Sequence, residues 1–306
     1  MSDQETPSHH GPGEQPDRSY PNETMRLLLE RSSCRSFTDL QIPPEVLASV
    51  IDAGVHSPTA GNLQPYSIIK IENENTRRRL AGWCNQDFIG QAPTNLLFCL
   101  DFRRLKQWAK LQKAPFTANN SFRHFWMGFQ DTIIAAQNIC TAADAMELGA
   151  VYIGTIIESI AEIRQLCNLP EHVFPVVLLC LGYPKQRPQP RKKLDRSIVV
   201  HNEKYSEIDD DRLLAAFNEK YSGIKLELTD ERMQNYREVC RNVGGEDFAA
   251  EAVAKLTEQG YIDAVQRYFG LHYVADRLPL GNDNFLRLMK EAGFGWFERY
   301  DLPDRQ

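Results

Sequence analysis

The sequence predicts an α+β protein with a helical C-terminal extension, and three observations carry that prediction. Two continuous apolar runs, at 95–100 and 174–182, are short enough for buried strands. Segments with apolar residues three and four apart, such as Val46, Leu47, Val50 and Ile51, lie outside these runs and read as helices. After Val199 the apolar residues recur only in helical groupings, with no strand signal.

In chain order, residues 1–20 form a polar stretch rich in Pro, Gly, Ser and His, expected to be disordered. His9 and His10 within it are not read as a metal site. Residues 22–31 read as a helix with Met25, Leu28 and Leu29 on one face. Just past it come Arg31, Ser32, Ser33, Cys34, Arg35 and Ser36. Forked guanidinium donors beside short hydroxyls suit phosphate recognition, and equally a solvated basic turn. Pro43 and Pro44 open the next helix, where a missing N–H costs no intrahelical bond.

The stretch 57–66, Ser-Pro-Thr-Ala-Gly-Asn-Leu-Gln-Pro-Tyr, then breaks regular structure. Asn62 and Gln64 carry amides that both donate and accept, which suits the edge of a planar hydrogen-bonding ring. A strand at 67–71 and a short helix at 77–83 follow. Aromatic residues crowd 108–126 and either wall a pocket or pack on their own protein. The longest helical signal runs over 126–148. Its many small residues suit a crowded central helix or a dimer seam, and Asp131 within it is expected to cap or pair locally. Residues 149–155 form a short extended run. Gly154, lacking a Cβ, would let a flat ligand approach the backbone. A helix at 156–166 and the strand at 174–182 complete this part. The turn-rich segment 183–196 is strongly basic and reads as a linker, a second phosphate clamp or a nucleic-acid contact.

The predicted organisation is thus a main domain over 21–200 and a helical extension over 201–306, packed on the core or on a partner subunit. With 306 residues and 35.0 kDa the chain is long enough for both. A formal net charge of -6 excludes a broad basic footprint, so no nucleic-acid partner is expected. No window approaches the length of a membrane-spanning apolar helix, so no membrane partner is expected either. The seven cysteines include no C-x-x-C pair, which leaves zinc and iron–sulfur sites without support and fits a reducing, cytoplasmic setting.

Taken together, the segments resemble the flavin-dependent nitroreductase family over residues 22–200. Arg31-Ser32-Ser33-x-Arg35 looks like the family's N-terminal phosphate and ring-binding signature. Residues 57–66 look like its Ser-Pro-x-x-x-Asn-x-Gln-Pro-aromatic segment. Residues 149–155 look like the stretch beneath the flavin's reactive centre, and Gly182-Tyr183-Pro184 with Arg191 and Lys193 like its closing strand and late phosphate contacts. The resemblance implies a mixed or antiparallel sheet surrounded by helices in an intertwined homodimer, with FMN at the subunit interface. Arg31, Ser32, Ser33 and Arg35 would hold its phosphate, ribityl and pyrimidine edge, joined by Arg191 and Lys193. Ser57, Pro58, Thr59, Asn62 and Gln64 of the other chain would line the ring, and the Ile153 and Gly154 backbone would lie near N5. No catalytic acid, base or nucleophile is implied. The reaction would carry hydride from NADPH or NADH to an electron-poor small molecule, a nitroaromatic or a quinone, in ping-pong turnover. The alternatives are a specialised flavin dehydrogenase, dehalogenase or flavin-consuming enzyme of the same fold, and a non-enzymatic flavin-binding protein.

Overall fold

A computed structural model describes residues 19–301; residues 1–18, with most of the expected disordered tail and His9 and His10, lie outside the described residues. The elements run α1 (Glu23–Glu30), α2 (Pro44–Val55), β1 (Tyr66–Ile71), α3 (Glu74–Cys84), α4 (Phe88–Gln91), β2 (Thr94–Asp101), α5 (Arg103–Leu111), α6 (Phe122–Ala145), β3 (Gly149–Ile153), α7 (Ile160–Leu166) and β4 (Val173–Gly182). The extension adds α8 (Arg196–Val199), α9 (Asp210–Lys220), β5 (Leu226–Glu227), α10 (Asp230–Gln259), β6 (Tyr261–Ile262), α11 (Ala264–Gln266) and α12 (Asn282–Glu291).

Four strands form an antiparallel sheet in the order β1-β2-β4-β3. β2 and β4 are central and buried at every position, which is why they read as unbroken apolar runs rather than alternating ones. Alternate residues point to opposite faces of a strand. Leu96, Phe98 and Leu100 meet Val50, Ile139 and Ala143 of α2 and α6, while Leu97 and Cys99 meet Leu80, Ile89 and Ile163 on the opposite face. The β2–β4 register slips between Phe98 and Cys99, where Cys99 comes to face Pro175. A proline has no N–H for the ladder, so a bulge at that point loses little.

Close approach of α2 to α6 depends on Gly54. A Cβ there would sit 2.5 Å from Ile139 Cγ1 and 3.1 Å from the Ala135 carbonyl. The helical spacing of α1 also holds, with Asn22 Oδ1 capping it through the Met25 N–H at 3.0 Å. Yet no residue of α1 is buried, and Met25, Leu28 and Leu29 stand exposed.

The extension corrects one expectation. It contains a strand pair, Leu226–Glu227 with Tyr261–Ile262, which two-residue strands are too short to announce by alternation. Its longest helix is broken at Gly245 (φ 84°, ψ −179°), between the two helical groupings visible in the sequence. The extension's far end returns to the core. Phe294 is fully buried, and its ring centroid lies 5.9 Å from that of Phe102, 6.0 Å from Phe125 and 6.0 Å from Phe174. The His172 N–H donates to the Ala292 carbonyl at 2.7 Å, and Asn119 Nδ2 to the Gly293 carbonyl at 3.3 Å.

Candidate functional site

At Arg31 the chain leaves α1 with extended angles (φ −56°, ψ 132°) and runs along the ends of β3 and β4. The Cys34 N–H donates to the Ala150 carbonyl at 3.0 Å, the Thr38 N–H to Tyr183 at 2.8 Å, and the Lys185 N–H to Ser36 at 3.1 Å. A notch receives this segment because Gly149 and Gly182 face each other across the β3–β4 register. A Cβ on Gly149 would lie 2.6 Å from Cys34 Cβ, and one on Gly182 2.9 Å from Phe37 Cδ1. Cys34 fills the notch and is buried; burial pushes its thiol up, so it has packing rather than redox character here. Gly149→Ala should therefore cost about 1–3 kcal/mol by overpacking. The check is urea unfolding; an unchanged midpoint would show that the notch does not hold the segment.

The Arg31 guanidinium is gripped from one side. Its Nε donates to Cys140 Sγ at 3.1 Å, Asp144 Oδ2 lies 3.6 Å from it, and its carbon sits 5.8 Å from the Tyr152 ring centroid. Nη2 is buried without a hydrogen-bond partner. Asp144 also accepts from Arg187 Nη1 at 3.2 Å, while Arg187 Nη2 donates to the Leu148 carbonyl at 3.1 Å. One buried carboxylate thus ties both basic segments to α6. Ser32 Oγ donates to the Pro188 carbonyl at 2.5 Å. Arg35 and Arg191 come close enough that Arg191, after burial, pushes the Arg35 guanidinium down. Two cations converge there on exposed space, and Lys193 is exposed on the same late segment. Arg31, Ser32, Ser33, Arg35, Arg191 and Lys193 were expected at the site from sequence, and Arg187 only as part of the basic segment 183–196; Asp144, Cys140 and Tyr152 were missed. Arg187 and Asp144 are far apart in sequence, and nothing in either neighbourhood marks the pair.

The second segment leaves α2 through Ser57, which is buried with Oγ lacking any hydrogen-bond partner. Thr59 Oγ1 accepts the Gln64 N–H at 3.1 Å. Gly61, Asn62 and Gln64 hold left-handed φ of 58°, 54° and 48°. Outside glycine that conformation costs roughly 1–2 kcal/mol per residue, so the loop needs fastening. Gln64 Nε2 donates to the Val55 carbonyl at 2.9 Å, and Arg104 Nη2 to the Gln64 carbonyl at 2.8 Å. The Gln64 amide nitrogen is thereby engaged within its own chain, while Pro58 and Asn62 are exposed.

Asp131 supplies a further fastening. Both its oxygens accept the Ala60 N–H at 3.2 Å, so its partner is a distant loop and not the local contact expected. Burial pushes its carboxyl up. A carboxylate disfavoured by the fold lowers stability as pH rises from the ordinary Asp value through the raised one. Asp131→Asn keeps an oxygen for Ala60 and removes the charge. Its melting temperature should match or exceed the parent's at pH 7, and the advantage should vanish as acid protonates the parent carboxyl. A marked loss at pH 7 would mean that the charge itself holds the loop.

Gly154 follows β3, and a Cβ on it would meet nothing within 4 Å, so open space lies over that backbone. Ile153 points inward and is buried, which leaves only its main chain available there. The two segments do not meet within one chain. Their fastenings on α6, Asp131 and Asp144, lie about 20 Å apart at 1.5 Å of rise per residue. A cavity of about 280 Å³ beside Ala60 and Leu63 has no wall from residues 31–35, and a groove of about 660 Å³ beside Phe37 and Lys185 has none from residues 57–64. Each segment carries one buried, unsatisfied polar atom, Arg31 Nη2 or Ser57 Oγ. Such atoms cost about 1–3 kcal/mol unless something outside the chain satisfies them. Cationic forks, small hydroxyls and an open glycine backbone together match the donors that a phosphorylated, planar heterocycle such as FMN requires.

The profile of the Nitroreductase family matches residues 28–183. The NADPH-flavin oxidoreductase of Vibrio harveyi is 33% identical over 189 residues, covering 61% of this chain and 77% of that protein. The oxygen-insensitive NADPH nitroreductase of Salmonella typhimurium is 34% identical over 204 residues, covering 66% and 82%. The solved structure of the NADPH:FMN oxidoreductase from Vibrio harveyi, in complex with NAD+, superposes with a TM-score of 0.60 at 29% identity, covering 78% of this chain and 98% of that one.

Proposed function

The chain belongs to the nitroreductase family, and from that premise we propose an NAD(P)H-dependent FMN oxidoreductase acting as a homodimer, with each site built from both subunits. Its acceptor is an electron-poor small molecule, a nitroaromatic or a quinone, and turnover is ping-pong because donor and acceptor use the same face in succession. FMN, when bound, supplies the hydride-accepting and hydride-donating chemistry. The protein's part is to bind, orient and stabilise charge. Arg31, through its free Nη2, Arg35, Arg191 and Lys193 meet the phosphate. Ser32 and Ser33 belong to the same edge, although the Ser32 hydroxyl is turned to Pro188 within this chain. Ser57, Pro58, Thr59, Asn62 and Gln64 of the partner line the ring. Gly154 and the Ile153 main chain leave one face open. Donors preorganised at the pyrimidine edge stabilise negative charge without an acid or base.

The observation that supports this reading best is the separation of Arg31 Nη2 and Ser57 Oγ: two unsatisfied buried atoms, in segments held apart on α6. The uncovered apolar face of α1, with exposed Phe122, Trp126 and Ile134 on α6, gives a second copy a surface to bury. No described helix is long and apolar enough to cross a membrane. In this reading residues 21–200 form the FMN-binding domain and residues 201–306 a helical extension packed on the core or on the partner subunit.

Purified protein incubated with FMN and desalted should be yellow, carry one FMN per chain and scatter light at twice the chain mass. A colourless, monomeric preparation removes the proposal. Ser57→Ala separates ligand binding from packing. It removes an orphaned buried hydroxyl, so stability of the FMN-free protein should hold or rise, while FMN affinity should fall about 5- to 10-fold, near 1–1.5 kcal/mol for one neutral hydrogen bond.

A further inference from the structure

Behind the loop that begins at Ala60 lies the cavity of about 280 Å³, bounded within one chain. Phe102, Leu105, Phe116, Met127 and Leu63 make its walls aromatic and aliphatic. Phe102 stands edge-on to Phe116 at 6.3 Å and is backed by Phe294, so the walls are braced from the extension. Two titratable side chains face the space, His124 and Asp131. His124 is exposed at the rim, with Nδ1 3.0 Å from Ser121 Oγ. Asp131 is only 5% exposed, and its two oxygens share a single donor, the Ala60 N–H. An ionised carboxylate offers about four lone-pair sites, so most of its acceptor capacity is unspent.

We propose that this cavity binds a planar aromatic of one or two rings, neutral or cationic, carrying an N–H or O–H donor for Asp131. Three features fix that class. The volume lies just below the roughly 300–1,000 Å³ of pockets for drug-sized ligands, so the occupant is smaller. Phe102 and Phe116, among otherwise mostly aliphatic lining, favour an aromatic guest. A buried carboxylate with spare acceptor sites attracts donors and repels anions, most strongly where water is excluded. Arylamines and hydroquinones belong to this class and are also what reduction of nitroarenes and quinones yields, so under the function proposed above the site would hold product-like molecules beside the ring-lining loop. The site itself stands on the cavity and on Asp131, whatever the flavin reading's fate.

The test titrates the full chain, FMN-free and FMN-treated, with 1-naphthylamine and with 1-naphthoate, followed by calorimetry. The amine should bind once per chain in both preparations, and the naphthoate at least tenfold more weakly. Asp131→Asn should narrow that gap to about threefold or less. Met127→Trp, which fills the cavity, should weaken the amine at least tenfold; Ala118→Leu replaces it if circular dichroism shows that the tryptophan variant does not fold. Equal affinity for amine and acid, no binding of either, or no effect of filling the cavity would each overturn the assignment. Failure of FMN to bind would leave the amine titration intact, so the two readings fail separately.

Discussion

Arg31→Ala should lose FMN about 10- to 150-fold, the equivalent of roughly 1.5–3 kcal/mol for a hydrogen bond to a charged group. Cys140 and Asp144 hold one side of the guanidinium, and Nη2 is left buried without a partner. Truncation removes that free donor and one of the two cations flanking the Asp144 carboxylate. Arg31→Lys keeps the charge but not the fork, so it should recover only part of the affinity. Quenching of flavin fluorescence on binding measures each step, and an alanine variant within twofold of the parent would remove Arg31 from the site. A stronger form of the test addresses the two-chain site directly. Asn62→Gly deletes the amide on the other segment while keeping its left-handed backbone free of strain. Each variant alone should have only weakened sites. Mixed subunits should regain about a quarter of the sites, because in a twofold dimer with shared sites half the assemblies are mixed and each has one intact site. A site within one chain would give no recovery at all.

How far the sequence reaches is visible in the same residues. The central strands were legible because both faces of β2 and β4 are covered, so polar residues fall only at the ends of β2. Most helices of the main domain were legible from spacing, with ends displaced by a few residues where Ser121 and Asn73 cap earlier than the apolar pattern begins, but α4 and α5 were not. The extension was less so: β5 and β6 are too short for alternation, and nothing local says that Phe294 will return to Phe102. In the candidate site, guanidiniums, hydroxyls and amides could be picked out by their chemistry and by family resemblance. Their fastenings could not. Asp144 with Arg31 and Arg187, and Asp131 with Ala60, are pairings across long stretches of chain, created by the fold and invisible before it.

Phe294→Ala should destabilise the protein by about 3–5 kcal/mol, in the range for emptying a buried aromatic position. The residue is fully buried, and three phenylalanines surround it within 6.0 Å or less, from the β2–α5 junction, α6 and β4. Its approach is set by the end of α12. Gly293 takes φ 84°, and the Phe294 N–H reaches back to the Met289 carbonyl at 3.0 Å, turning the chain so that the ring enters the core. Folded domains have only about 5–15 kcal/mol in hand, so this one side chain decides whether the extension stays docked. Unfolding at fixed protein concentration should show the loss, since dimerisation would otherwise shift the apparent stability. Phe294→Leu should cost much less, because it removes less volume from the same place. Hydrogen exchange adds a local reading: the His172 amide, bonded to the Ala292 carbonyl, should lose protection in the alanine variant before the β2–β4 ladder does. A loss below 1 kcal/mol, with His172 still protected, would mean that the end of the extension is held by something other than its aromatic anchor. The same variant also withdraws the support behind Phe102, so the cavity beside Asp131 should lose its preference for flat ligands even where the fold survives.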